Sequence, residues 1–171
     1  MERTRWVVLV YRLPREPSRH RVAVWRKLRD LGALYLQDGV AVLPEDAVTR
    51  EQLEWLQLRV REAGGDATLW EARTGTVAEE AGLVEDFRHS REEAYRAIIA
   101  EAGRLRRKAR MGGGGVLEQL GKLERRFRAE RRRDFFRSPL RGEAAEALKA
   151  TREAARAGQE SAGTLGGEGK R

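Results

Sequence analysis

The sequence contains no cysteine, and this absence excludes several kinds of chemistry. Disulfides, thiolate nucleophiles and cysteine-based zinc sites all need a residue that the 171-residue chain lacks. Its two histidines, His20 and His89, lie far apart without a serine partner at a recognisable spacing, so no catalytic triad is indicated. No segment resembles a signal peptide or a membrane span of about 18 apolar residues. We therefore expect a soluble, cytoplasmic protein without enzyme activity, cofactor or membrane association.

Strand-like and helix-like patterns alternate through the first 75 residues. Apolar runs predict strands over residues 6–13, 34–37, 40–43 and 67–72, with Asp38-Gly39 as a tight hairpin turn. Helical spacing predicts one helix that is capped by Ser18 and ends at Gly32, and a second over residues 49–63. This β-α-β-β-α-β order is typical of ferredoxin-like folds, in which both helices cover one face of a four-stranded antiparallel sheet.

Carboxylates in a metal-binding arrangement are also scarce. Small ferredoxin-like nucleases hold a metal through an acidic residue at the end of the first strand, where this chain has Tyr11 and Arg12. Glu45 and Asp46 form the nearest acidic pair, but Asp46 is better placed to cap the second predicted helix. No metal site is therefore expected.

From Leu83 onward, apolar residues recur in steps of three and four, which predicts long helices. One ends at Arg110, another begins at Val116, and a last one begins at Glu143. The fold class is therefore predicted as α+β: a ferredoxin-like βαββαβ domain followed by a C-terminal helical hairpin. The predicted ranges are residues 1–75 for the first domain, 76–157 for the helical extension with its Gly-rich connection at 112–115, and 158–171 for a disordered tail.

Apolar and aromatic residues support packing roles. The four tryptophans each fall on a predicted strand or helix, which favours the core over a ligand cage. They are Trp6, Trp25, Trp55 and Trp70. Phe135 and Phe136, beside a proline, are interpreted as an anchor for the end of the helix that begins at Val116. The apolar stripe of that helix, Val116, Leu120, Leu123 and Phe127, fits either a core face or the seam of a homodimer.

Positive charge is concentrated in two zones. Residues 1–29 have a net charge of +7 and residues 104–141 of +10, whereas residues 30–103 have −9 and residues 142–171 are balanced, which gives +8 for the chain. This distribution favours surfaces that attract a polyanion. Of the 35 basic residues 30 are arginine, a bias that GC-rich coding also produces, so a merely solvated surface remains the alternative.

Four segments resemble the N-terminal domain of the chromate-resistance protein ChrB family. They are residues 6–14 (WVVLVYRLP), 21–33 (RVAVWRKLRDLGA), 38–44 (DGVAVLP) and 133–139 (RDFFRSP), and the similarity spans about residues 5 to 155. The hairpin portion is also similar to the ferredoxin-like module of PaaX-type repressors. The resemblance implies a cytoplasmic regulator of a chromate-efflux operon that senses chromate and acts at promoter DNA.

Chromate is a tetrahedral dianion, so a site for it needs arginine forks, backbone amides or a helix N-terminus. The loop before the first predicted helix supplies such donors. We hypothesise that it binds chromate or a similar oxyanion through Arg12, Arg15, Arg19 and Arg21. The same geometry would also hold a DNA phosphate.

A DNA-binding role requires basic residues on a shared surface. The first helix offers Arg19, Arg26, Lys27 and Arg29, which lie largely off its apolar stripe. A second contact is predicted from a cluster that is too cationic to be buried: Arg125, Arg126, Arg128, Arg131, Arg132 and Arg133. No helix-turn-helix, zinc-finger or RNA-binding aromatic motif is present, so base-specific recognition is not indicated.

A non-catalytic accessory module is the alternative function. Members of the family usually carry a second, C-terminal chromate-resistance domain, so the resemblance also implies a separate chromate-resistance domain protein as a partner. In that case the basic faces would contact an acidic partner or maintain solubility.

Overall fold

The computed structural model describes residues 3–165, and the side chains of residues 3–158. The chain divides into two compact units, Met1–Phe87 and Arg88–Arg171. The division falls within a long helix, whereas the sequence predicts a boundary at residue 75. No helix in the described part of the chain is both long and apolar enough to cross a membrane.

The first unit is an antiparallel sheet with helices, and the predicted α+β class is confirmed. Its strands and helices follow one another as β1 (Trp6–Arg12), α1 (Ser18–Leu31), β2 (Leu34–Gln37), β3 (Val40–Pro44), α2 (Ala47–Glu62) and β4 (Asp66–Ala72). The strand order across the sheet is β2-β3-β1-β4, and all neighbouring strands are antiparallel. A third helix, α3 (Val77–Arg110), starts in this unit and continues into the second.

Alternation along β1 explains which side chains are buried on one face of the sheet. Val7 and Leu9 lie on one face, paired with Leu43 and Ala41 of β3, and all four are fully buried. α2 packs across β1 and β4 on this core, with α1 beside α2. Full burial of a valine or leucine side chain contributes roughly 1.5–3 kcal/mol to the free energy of unfolding.

The opposite face of the sheet holds the start of α3. The Trp6 ring stacks on Phe87 with centroids 5.5 Å apart, and its indole N–H donates to Glu80 at 3.1 Å. Glu80 also accepts hydrogen bonds from Thr4 N at 3.0 Å and from Thr74 Oγ1 at 2.9 Å. These contacts explain why the first unit extends to residue 87.

Two of the three predicted helix ends have the expected form. Asp46 caps α2 in a capping box with Thr49, as predicted, and Gly32 ends α1 with a φ of 79°. The prediction that Ser18 caps α1 is wrong: Pro17 is the cap residue, and no side chain caps this end. Ser18 is already helical, so its own amide needs a partner and donates to Glu16 Oε2 at 3.3 Å.

The second unit is a three-helix core rather than two helices alone. The end of α3 packs with α4 (Val116–Arg133) and α5 (Leu140–Leu165). The α4 stripe Val116, Leu120, Leu123 and Phe127 is buried in this core. That stripe is therefore already covered within the chain, and a homodimer would need another surface. Buried Thr151 of α5 donates a hydrogen bond to the Ala102 carbonyl of α3 at 2.9 Å.

The end of α4 is held by a buried carboxylate. Asp134 accepts hydrogen bonds from the Tyr95 hydroxyl at 3.0 Å and from Ser138 N at 2.8 Å. Burial, together with the hydrogen bond to Asp134, raises the pKa of Tyr95. Phe135 and Phe136, the predicted anchor, are only half-buried, whereas Asp134 is buried. The hydrogen bonds of Asp134 therefore hold this turn more than the two aromatic rings do.

The last helix is longer than the sequence predicts. α5 continues through Leu165, past Gly158, where the predicted disordered tail begins. Alanine and glutamate, which are good helix formers, are frequent in residues 140–157, and a helix that has already started extends readily into the residues that follow. The rest of that tail, residues 166–171, lies outside the described residues.

The hairpin turn gives a first prediction. Gly39 has a φ of 75°, and a Cβ built there would lie 2.4 Å from the Tyr11 carbonyl oxygen, whereas Gly64 has a φ of 77° with open space around it. We expect Gly64→Ala to lower the free energy of unfolding by about 1–2 kcal/mol, from backbone strain alone. Gly39→Ala adds a steric clash, so its loss should be about 3 kcal/mol or more. Urea denaturation of both variants measures the difference, and equal losses would contradict it.

A second prediction concerns Glu80. Burial alone would raise its pKa, but the hydrogen bonds from Thr4, Trp6 and Thr74 outweigh burial and lower it. A lowered pKa means that the stability contributed by the carboxylate is present above the unfolded value of about 4.3 and is lost as the pH falls through the folded value. Glu80→Gln should therefore destabilise the protein at pH 7 and differ less from wild type near pH 3. The control is Asp86→Asn, at an exposed acid of the same helix. A stability difference between Glu80→Gln and wild type that grows as the pH falls would contradict the prediction.

Candidate polyanion-binding surfaces

The predicted oxyanion loop is partly occupied by the chain's own carboxylates. Arg12 forms an exposed ion pair with Asp66 at 3.3 Å, and Glu16 accepts the hydrogen bond from Ser18 N at the start of α1. Arg15 and Arg19 are exposed and form no ion pair within residues 3–158. The helix start is therefore only partly available to an external anion.

The two predicted arginines that lie on α1 itself diverge. Arg19 and Arg21 are two residues apart on α1, so their side chains leave the helix about 200° apart. Both are exposed. Because Arg12 is already paired with Asp66, the four predicted residues do not converge on one point. They are better placed to contact several phosphates along a DNA backbone than to enclose a single dianion.

Three of the four predicted DNA-binding residues of α1 share its outer side. Arg19, Arg26 and Arg29 are exposed and follow spacings of seven and three, which places them within about 80° of one another around the helix. We call these three residues the α1 cationic face. The Arg29 guanidinium lies over the Trp25 ring, 5.3 Å from its centroid, and so remains available to an anion at its other side.

Lys27, the fourth predicted residue of α1, lies elsewhere. Its side chain lines a groove between α1 and α2, together with Trp55 and Arg59 of α2. The spacing explains this placement, because position 27 is about 100° around the helix from Arg26. The predicted α1 set is therefore divided between an outer face and the wall of a groove.

The arginine cluster of α4 is divided in the same way. Arg125, Arg128 and Arg132 are exposed at spacings of three and four, and they form no ion pair in the described part of the chain. We call them the α4 cationic face. It extends about 10 Å along the helix, which is the length of seven residues.

The other arginines of the α4 cluster have partners. Arg126 pairs with Glu101 at 3.6 Å and Arg133 with Glu130 at 3.3 Å, while the Arg131 guanidinium lies 5.9 Å from the Phe127 ring centroid. Arg126 and Arg133 were predicted DNA contacts, and each would have to exchange its carboxylate for a phosphate. The exposed Arg126 pair contributes little stability, so it opposes that exchange only weakly.

The structure adds a cationic group that was not predicted as a site. Arg104, Arg107, Lys108 and Arg110 at the end of α3 are exposed, and none forms an ion pair within residues 3–158. Arg104, Arg106 and Arg107 line a groove of about 440 Å³ beside Ala147 of α5. The run of basic residues 104–110, which contains no acid, is the sequence signal that identifies this group.

Three of the four tryptophans are exposed, so their assignment to the core is wrong. Trp6 is buried, but Trp25, Trp55 and Trp70 are 46%, 60% and 59% exposed. Trp25 and Trp55 each lie next to a buried residue of the same helix and therefore on the flank of that helix. A single layer of helices on the sheet leaves these flanks uncovered. Trp70 lies on β4, an edge strand of the sheet.

Neither metal ligands nor catalytic histidines come together in the described residues. No group of three or more histidine, aspartate or glutamate side chains there could hold a metal ion. His89 Nδ1 lies 3.6 Å from Glu92 Oε2 on the same helix. His20 lines the groove between α1 and α2. Within the described residues, the predicted site residues that do share a surface are cationic.

Comparison with known proteins identifies one family. The family model described as "Protein ChrB, N-terminal" matches residues 21–111, just over half of the chain. The match begins within α1 and ends just after α3, so it includes Arg26 and Arg29 of the α1 cationic face but not the α4 cationic face. No curated protein and no solved structure matches. The chain therefore belongs to the family of ChrB N-terminal domains, which connects it with chromate resistance.

Proposed function

We propose that this protein is a DNA-associated transcriptional regulator of chromate resistance. The observation that supports it best is the pairing state of the arginines. The α1 and α4 cationic faces each carry three exposed guanidinium groups that form no ion pair with a carboxylate of residues 3–158. Family membership supplies the link with chromate resistance.

The physical basis is the release of counterions from DNA. A guanidinium that is already paired must lose its carboxylate before it contacts a phosphate, whereas an unpaired one loses only water. Three arginines spaced over about 10 Å of α4 can contact neighbouring phosphates of one strand. Each face therefore suits a polyphosphate backbone.

The architecture fits attachment through phosphates more than base-specific recognition. We assign residues 6–72 to the ferredoxin-like class, which the β2-β3-β1-β4 order supports. That arrangement has no recognition helix of the helix-turn-helix kind. Sequence preference would then come from DNA shape, and the protein would work in the cytoplasm, where the promoter is.

An accessory module that binds a separate chromate-resistance domain protein is the second candidate. It is favoured by the apolar side chains left exposed on the sheet: Val10 and Trp70 lie on the same sheet face as Trp6, and both are more than a third exposed. Exposed apolar surface of this kind is typical of a protein contact.

The first test is the salt dependence of promoter binding. The variant with Arg125→Gln, Arg128→Gln and Arg132→Gln should reduce the slope of log K against log salt by about one for each lost phosphate contact. The variant with Arg73→Gln, Lys149→Gln and Arg156→Gln removes the same charge from other exposed positions and should retain the slope. Fluorescence anisotropy with the upstream DNA and a scrambled duplex, at four salt concentrations, measures both.

A wild-type slope near zero, or equal losses in the two variants, would contradict the proposed DNA contact. The same preparations distinguish the second candidate. If the chain shows no preference for its upstream DNA but co-purifies with a chromate-resistance domain protein, the accessory role is supported instead.

The oxyanion response has its own prediction. We propose that Arg15, Arg19 and Arg21 contribute to binding of chromate or of DNA phosphate, because all three are exposed around the start of α1. Changing them together to alanine should weaken binding of promoter DNA or of chromate by at least about tenfold, as expected for loss of two or more charge-assisted contacts. Calorimetric titration with chromate and the anisotropy assay measure the two ligands. If the triple variant binds both as wild type does, the loop has no role in either.

A further inference from the structure

The groove between α1 and α2 is a concave surface of the first unit that the proposed DNA contact does not use. Its volume is about 530 Å³, within the range of small-molecule sites. His20, Ala23 and Lys27 line it from α1, and Leu56, Trp55 and Arg59 line it from α2.

Half of the residues that line the groove are apolar. Val24 and Leu56 belong to the core and are almost fully buried, so they form the inner wall. Ala23 and Ala63 have short side chains, which leaves room between the helices. Trp55 lines the groove and is nevertheless 60% exposed. A flat apolar ligand that packs against its ring would therefore remove a large hydrophobic area from water.

The charge in the groove is positive and unpaired. Lys27 and Arg59 approach from different helices, and neither forms an ion pair or a side-chain hydrogen bond within the described residues. Glu62 is the one acidic side chain in the lining, beside two cations and a histidine. An anion on the ligand is therefore favoured over a cation.

We propose that this groove binds a small amphipathic monoanion, with a flat apolar body against Trp55 and Leu56 and a carboxylate near Lys27 and Arg59. A phosphate backbone fits this site poorly, because the apolar inner wall would remove water from phosphates without replacing its hydrogen bonds. The inference does not depend on the proposed DNA contact, since binding is measured on the protein alone.

Calorimetric titration of the full chain with three matched probes tests the ligand class. 1-Naphthoate has the flat body and the charge, 1-naphthalenemethanol has the body alone, and acetate has the charge alone. We expect saturable one-site binding of 1-naphthoate, at least about fivefold weaker binding of the alcohol, and no saturable binding of acetate.

Variants locate the site. Lys27→Gln with Arg59→Gln should remove the preference for naphthoate over the alcohol while retaining binding of the alcohol. Ala23→Leu, at an exposed position of α1, should fill the groove and weaken both aromatic probes at least about tenfold. Arg73→Gln, an exposed arginine outside the groove, is the matched control and should change neither. Naphthoate should also quench tryptophan fluorescence in wild type and not in Trp55→Phe.

Four results would overturn the inference. The first three are the absence of saturable naphthoate binding to wild type, equal affinity for naphthoate and the alcohol, and unchanged affinity in an Ala23→Leu variant whose circular dichroism matches wild type. Affinity that falls as protein concentration rises would also overturn it, because a second copy of the chain would then occupy the groove. Promoter binding does not enter any of these outcomes.

Discussion

The contact of Trp6 with the start of α3 is the interaction on which the first unit depends. The indole stacks on Phe87 and donates its N–H to Glu80, so a single side chain contacts both an apolar and a polar residue of the helix. Glu80 in turn accepts hydrogen bonds from Thr4, just before β1, and from Thr74, just after β4. Because β1 is a central strand, the position of α3 is tied to the middle of the sheet.

Arginine is the second constraint on this protein. A chain with 30 arginines and 27 acidic residues cannot give every guanidinium a carboxylate of its own, and a buried guanidinium would need a partner. The structure divides them by partner: Arg126 and Arg133 face carboxylates, whereas Arg125, Arg128 and Arg132 do not. Local charge on a helix face is therefore a better guide to an anion contact than the net charge of +8.

The sequence predicts much of the first unit because its signals are local. The Asp38-Gly39 turn, the Gly32 helix end and the Asp46 cap each depend on residues within a few positions. Exposure of Trp25 and Trp55 could not be predicted in this way, since it depends on how many layers cover a helix flank. The partner of Arg126 is Glu101, which lies on another helix, and no periodicity identifies such a pair. The groove that separates Lys27 from the other cations of α1 likewise depends on the position of α2.

The continuity of α3 has a consequence for how the chain folds. Its 34 residues form one helix of about 50 Å, and the first 11 belong to one compact unit while the rest belong to the other. A helical turn extends from an existing turn far more readily than it nucleates anew, so order in either core favours order in the adjoining turns. The turns on either side of residue 87 therefore stabilise one another within α3, because each extends from its neighbour.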